Sequence, residues 1–183
     1  MTTLGARLDE ATRGLPAPLA VVDLDALDAN ATDLVRRAGG VPVRVASKSV
    51  RVRHVLQDML ARPGFAGVMA FSLREALWLV EHGVTDVLLG YPTVDTGALH
   101  DLAADEHAAR AITLMVDDVA QVDLAERAAG SGAHPLRVCL DVDASLRLNL
   151  GPLSTHIGVR RSPVHTPEPV SYTHLTLPTN REV

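Results

Sequence analysis

Short apolar runs rich in β-branched residues alternate along the chain with longer stretches in which apolar positions return every third or fourth residue. The runs are VPVRVAS from Val41, FAGVMAF from Phe65, VTDVLLGY from Val84, AITLMVD from Ala111 and LRVCLDVD from Leu136. Between them lie RVRHVLQDMLA, SLREALWLVEHG, VDTGALHDLAADEHAAR and DVAQVDLAERAAGSG. Leu73, Leu77 and Val80 fall on one helical face, and Val119, Val122 and Ala125 on another. Ser72 with Glu75 three residues on forms a capping box, and Gly83 and Gly132 mark helix ends. The alternation predicts parallel strands joined by crossover helices. The apolar runs are continuous, as strands covered on both faces require.

An earlier run, LAVVDLD from Leu19, precedes the helical stretch DALDANATDLVRRAGG. It predicts one more strand, either outside the repeat or first in a barrel. A doubly wound sheet stays open as an arrangement, although no G-x-G-x-x-G begins any of the helices. A closed (β/α)8 barrel takes about 250 residues, so the five repeats here predict an incomplete one. From Val170 the sequence VSYTHLTLPTNREV loses all periodicity. Up to Thr179 it resembles the translation of a sequencing adapter, so residues 1–169 are expected to be the partial barrel domain and 170–183 a non-native tail.

Composition narrows the function classes. The chain has 183 residues, 47% of them hydrophobic, and a net charge of −5. It shows no basic block with interleaved aromatics, which speaks against nucleic acid or an anionic membrane as partner. No apolar stretch reaches the roughly 20 residues of a membrane span, and the N-terminus lacks a signal-peptide core. With Cys139 as its one cysteine, the chain is expected to be cytoplasmic. Cys139 itself is expected in the core. His54, His82, His100, His107 and His134 lack metal-ligand spacing and are expected at the surface, while His156 and His165 are placed near the open end. No metal site is expected in this chain.

Lysine usage changes the picture more. Of 17 basic residues only Lys48 is a lysine. Arginine replaces lysine wherever charge alone is needed, but a guanidinium cannot condense with a carbonyl. In βα-barrels the working side chains stand at the C-terminal ends of strands. The first repeat ends in Ser47-Lys48-Ser49, the third in Gly90-Tyr91-Pro92 and the fifth in Asp141-Val142-Asp143. Lys48 is therefore the candidate catalytic residue, a nucleophilic amine suited to pyridoxal phosphate. Tyr91 is a candidate to face that cofactor, with packing as the alternative. Arg44, four residues before Lys48, is expected on the same strand face, beside the lysine or paired with Asp141. Asp141 and Asp143 are expected on one side of their strand, orienting a base or paired with Arg44 or Arg137.

These residues carry a resemblance. LPAPLAVVDLDALDANATDLVRRAGGVPVRVASKS is similar to the opening of the fold-type III pyridoxal-phosphate enzymes, the alanine racemase type, and within them to the D-threonine aldolase and D-serine dehydratase group. GVMAFSLREALWLVEHGVTDVLLGYP and LDVDASLR continue it, so that it covers residues 16–165. The resemblance implies a (β/α)8 barrel, pyridoxal 5'-phosphate bound to Lys48 as an internal aldimine, and a cofactor-binding arginine at Arg147, with Arg160 as the alternative. It implies a lyase for D- or β-hydroxy amino acids such as D-threonine or D-serine, acting by aldol cleavage or deamination. An amino-acid racemase and a non-catalytic pyridoxal-phosphate-binding protein are the alternatives. The complete protein is expected to be a homodimer. Any divalent metal would be held by a C-terminal domain that this sequence lacks. Five strands of a barrel leave two open edges and an uncovered interior, so the chain alone is expected to be inactive and poorly folded. Val45-Ala46 replaces the Pro-His pair that precedes the lysine in the family, which removes an imidazole from the site.

Overall fold

The computed structural model describes residues 3–131, 133–150, 153–159 and 162–165, with backbone alone for 147–150 and 153–156. Gly132, Arg160 and the segment 170–183 lie outside the described residues, as does the side chain of Arg147. The chain divides into two compact units, Met1–Val43 and Arg44–Val183.

In the first unit, α1 (Leu4–Ala11) begins at Thr3, whose hydroxyl accepts from the Ala6 amide at 3.3 Å. Helix α2 (Leu24–Ala38) begins at Asp23, which accepts from the Ala26 amide at 3.1 Å, and ends at Gly39 in the left-handed region. The run from Leu19 is not a strand. Residues 19–23 form a loop, with Leu19, Val21 and Val22 exposed. Apolar β-branched residues favour a strand only where a neighbouring strand takes up their backbone groups, and none of the described strands does so here.

The second unit is built on a five-stranded sheet in the order β1-β2-β3-β4-β5. Its strands are β1 (Val43–Ala46), β2 (Phe65–Ala70), β3 (Val87–Leu89), β4 (Ile112–Val116) and β5 (Arg137–Leu140). The pairs from β2 to β5 are parallel. Strictly sequential order, with no point where the winding reverses, sets this sheet apart from a doubly wound one and is the order of a βα-barrel. The intervening helices are α3 (Ser47–Val50), α4 (Arg53–Leu60), α5 (Leu73–Glu81), α6 (Thr96–Ala104), α7 (Glu106–Ala111) and α8 (Val119–Ala129). The stretch read as one helix from Val94 to Arg110 breaks at Asp105, whose carboxylate accepts from the His107 and Ala108 amides and so begins α7. Ser72 caps α5 as expected, accepting from Glu75 N at 3.2 Å, while the Glu75 carboxylate takes the Phe71 amide at 3.1 Å. Gly83 follows that helix with φ +91°, and α8 ends at Gly130.

Register decides which face each strand residue serves. Val68, Val87 and Ile112 form one row, and they join Ala70, Leu89 and Leu114 in the buried core with Leu73, Ala76 and Leu79 of α5 and Leu99 and Leu102 of α6. The opposite face carries Met69, Leu88, Thr113 and Met115, all half-buried. Val45 packs against the helix-side core and Val68 is fully buried within it.

After β5 comes an antiparallel hairpin, β6 (Leu146–Leu150) and β7 (Leu153–Ile157), with Arg147 opposite His156. The sequence reading contains no such hairpin. Cys139 is also not in the core: it is exposed on the edge strand β5, where no described neighbour covers it. No helix among the described residues is long and apolar enough to cross a membrane.

Candidate active site

The site is a consequence of how β1 and β3 end on either side of β2. At the end of β1 the chain turns at once into the single turn α3, so Lys48 stands on a helical turn and not in the strand itself. Ser47 anchors that turn: it is fully buried, and its hydroxyl donates to the Met69 carbonyl at 3.2 Å. At the end of β3 the Gly90 amide donates to the next carbonyl of β2, that of Ala70, at 2.8 Å. Two successive carbonyls of β2 thus fix the chain just before Lys48 and just before Tyr91. The outcome is a contact between residues 43 apart in sequence, with Lys48 Nζ donating to Tyr91 Oη at 2.8 Å. Nζ lies 5.2 Å from the ring centroid, close to the hydrogen bond plus the centroid-to-oxygen span, so the ammonium sits beyond the hydroxyl and not over the ring face. Both side chains are exposed.

Neighbouring residues shape the rim. Gly90 lies against Met69: a Cβ there would stand 3.0 Å from Met69 Cγ. Arg51 closes α3 in the left-handed region (φ +52°), donates from Nε to the Lys48 carbonyl at 3.1 Å, and lays its guanidinium 5.8 Å from the Phe71 ring centroid. The loop that carries Tyr91 is held further along by Asp95, which caps α6 through the Ala98 amide at 2.9 Å and takes Arg74 Nε at 3.0 Å. Arg74 also reaches Asp101 at 2.8 Å. The Arg74 hydrogen bond, then the Ala98 amide, holds the Asp95 carboxyl below its usual range, and the Asp95 bond in turn raises the Arg74 guanidinium. The anchoring role of Ser47, the contacts of Arg51 and the Arg74–Asp95 clamp do not follow from the sequence pattern; the Asp-x-Gly start of α6 is the one signal it holds for the clamp.

Other expected site residues fall elsewhere. Arg44 does not stand beside Lys48. It crosses Gly67 to pair with Asp86 at 2.8 Å, near the N-terminal end of β3, and leaves Asp141 alone. Four residues on a straight strand share a face, but here the strand ends at Ala46 and α3 turns Lys48 away. Asp141 and Asp143 lie beyond the end of β5, not on it. Asp143 accepts from the Ser145 amide at 3.0 Å and from its hydroxyl, while Arg137 donates to the Arg110 carbonyl at 2.7 Å. Among the named histidines, His54, His100, His107 and His165 are exposed and His82 and His134 half-buried.

Residues 22–157 match the family described as alanine racemase, N-terminal domain. The chain belongs to this family. Within the alanine racemase N-terminal domain family, the sequential parallel sheet and its one-sided helices are the first part of the family's barrel. Among solved structures the chain is similar to the D-threonine aldolase from Filomicrobium marinum, with 25% identity, a TM-score of 0.63 and 88% of this chain covered. The match covers 40% of the aldolase chain, so this chain spans well under half the length of that structure. No curated protein matches the chain.

Proposed function

We propose that this chain is the front part of a pyridoxal-phosphate-dependent lyase that cleaves or deaminates a D- or β-hydroxy amino acid, with Lys48 as the residue that holds the cofactor. The observation that carries this reading is the placement of Lys48, the chain's single lysine, directly after the first strand of an alanine racemase-type sheet, with its amine exposed. The residues present fit the aldehyde end of the group, because an exposed primary amine, held by Tyr91 and anchored through Ser47 to the sheet, can condense with it. When bound, pyridoxal phosphate supplies that aldehyde and a ring that stabilises negative charge at the substrate Cα. Lys48 Nζ would hold it and, when not so engaged, would take a proton from the substrate's Cα or β-hydroxyl. The structural likeness to a D-threonine aldolase supports a lyase over a racemase. Arg147, and Arg160 as its alternative, remain the proposed cofactor-binding arginines; Arg44, engaged by Asp86, does not serve.

Borohydride trapping tests the reading. The chain incubated with pyridoxal phosphate and reduced is expected to carry one phosphopyridoxyl group on Lys48, located by peptide mass. Lys48→Ala and Lys48→Arg are each expected to remove it while the circular dichroism spectrum is retained. A parent chain that is labelled at the α-amine and not at Lys48 would end the proposal.

A further inference from the structure

We propose that Tyr91 is the positioning residue for Lys48, its phenol holding the lysine amine in the orientation from which it meets a carbonyl group. The inference rests on the pyridoxal-phosphate reading above and adds to it a second side chain from a different strand end. A lysine carries four rotatable bonds, and an exposed one wanders among many rotamers. Here one partner fixes the far end: Nζ donates to Tyr91 Oη at 2.8 Å. The phenol's own position is set by the backbone, since Gly90 is tied to the Ala70 carbonyl at 2.8 Å and the downstream loop is held by the Arg74–Asp95 clamp. The lysine's near end is fixed as firmly, through buried Ser47 on the adjacent Met69 carbonyl. Both ends of the Lys48 side chain are thus referred to consecutive residues of β2. An arrangement of this kind pre-pays the ordering of the nucleophile before the carbonyl arrives.

The chain is well suited to a test, because it offers only two kinds of primary amine, Lys48 and the α-amine. The α-amine therefore serves as an internal standard. The full chain and its Tyr91→Phe and Tyr91→Ala variants are incubated with pyridoxal phosphate at neutral and at alkaline pH, reduced with borohydride, and scored by mass for the ratio of Lys48 to α-amine adduct. Phe keeps the ring and removes only the hydroxyl. Because the phenol can turn to donate to the imine nitrogen that replaces the amine, its hydrogen bond is kept in the adduct, and the ratio is expected to fall about fivefold in Tyr91→Phe, the worth of one side-chain hydrogen bond, and at least as far in Tyr91→Ala, at both pH values. A phenol that merely stabilised the ammonium would give the opposite sign at neutral pH, with the Phe variant labelled more. An unchanged or increased ratio in Tyr91→Phe overturns the positioning role while Lys48 labelling in the parent chain keeps the cofactor reading intact. A parent chain labelled at the α-amine and not at Lys48 overturns both.

Discussion

Among single residues, Lys48, the proposed cofactor-holding lysine, stands out in the sequence because its chemistry is unique in the chain, whereas its contacts do not. Lys48 stands out by elimination among sixteen arginines. Tyr91 was visible only as a strand-terminal aromatic, since nothing in a linear pattern shows that residues 43 apart meet at 2.8 Å. Arg44 misled for a related reason: spacing along a strand predicts a shared face only while the strand lasts, and β1 stops at Ala46. What Arg44 does instead depends on Gly67. That glycine has φ +71°, and a Cβ on it would run into both the Arg44 guanidinium and the Asp86 carboxylate. Gly67→Ala is expected to destabilise the chain by about 1–3 kcal/mol through the backbone conformation, with a further loss from the displaced ion pair, seen as a lower urea midpoint. In Gly67→Ala/Arg44→Ala the collision is partly relieved, so the two changes are expected to cost less together than their sum. Strict additivity would show that the guanidinium does not press on this position.

Secondary-structure elements followed the sequence where hydrophobic period and capping agreed, and departed from it where a partner or a local polar group decided. The five strands and helices α4, α5 and α8 lie within the apolar runs and periodic stretches of the sequence, and α5 begins at its predicted cap Ser72, while α4 has no side-chain cap and α8 ends at Gly130. The Leu19 run failed as a strand for want of pairing, and the split between α6 and α7 came from one carboxylate taking two amides. At the start of α6, Asp95 joins both kinds of control, as helix cap and as partner of Arg74. Its carboxyl is held below the usual range, chiefly by the Arg74 bond. A carboxyl depressed in the folded chain contributes stability above its unfolded value and loses it as the pH falls through the folded one. Asp95→Ala is therefore expected to melt a few degrees below the parent at neutral pH, with the gap closing well below about pH 4, where the unfolded carboxyl is protonated. Asp95→Asn keeps a cap for the Ala98 amide and removes the charge, so it is expected to fall between the two and to lose the pH dependence of the gap. A gap that persists unchanged into acid would show that the clamp is not ionic.

For the molecule as a whole, the sequence conveyed the repeat and its covered face but not how a sheet of five strands treats its rim. The helix-side core closes within the chain, from Leu56 through Ala125. Beyond it, β5 is the last strand of the described sheet, and Val138 is 37% exposed there with Cys139 exposed beside it. Continuous apolar character made Cys139 read as core, because a run such as LRVCLDVD carries no mark of whether another strand follows in space. An unpaired strand presents its amides and carbonyls as a template for another copy. Two consequences follow for the purified chain under reducing conditions. The Cys139 thiol is expected to react with a thiol reagent at native pH without denaturant, at a rate close to that of the unfolded chain. In gel filtration the chain is expected to run increasingly large as its concentration rises, and Val138→Lys, which places a charge on the strand edge, is expected to shift it back towards monomer. Concentration should also slow the thiol reaction in the parent and not in Val138→Lys, because the same strand is covered in both measurements. A thiol that is silent at every dilution until denaturant is added would mean that β5 is covered within a single chain, and the open edge assigned to it here would be wrong.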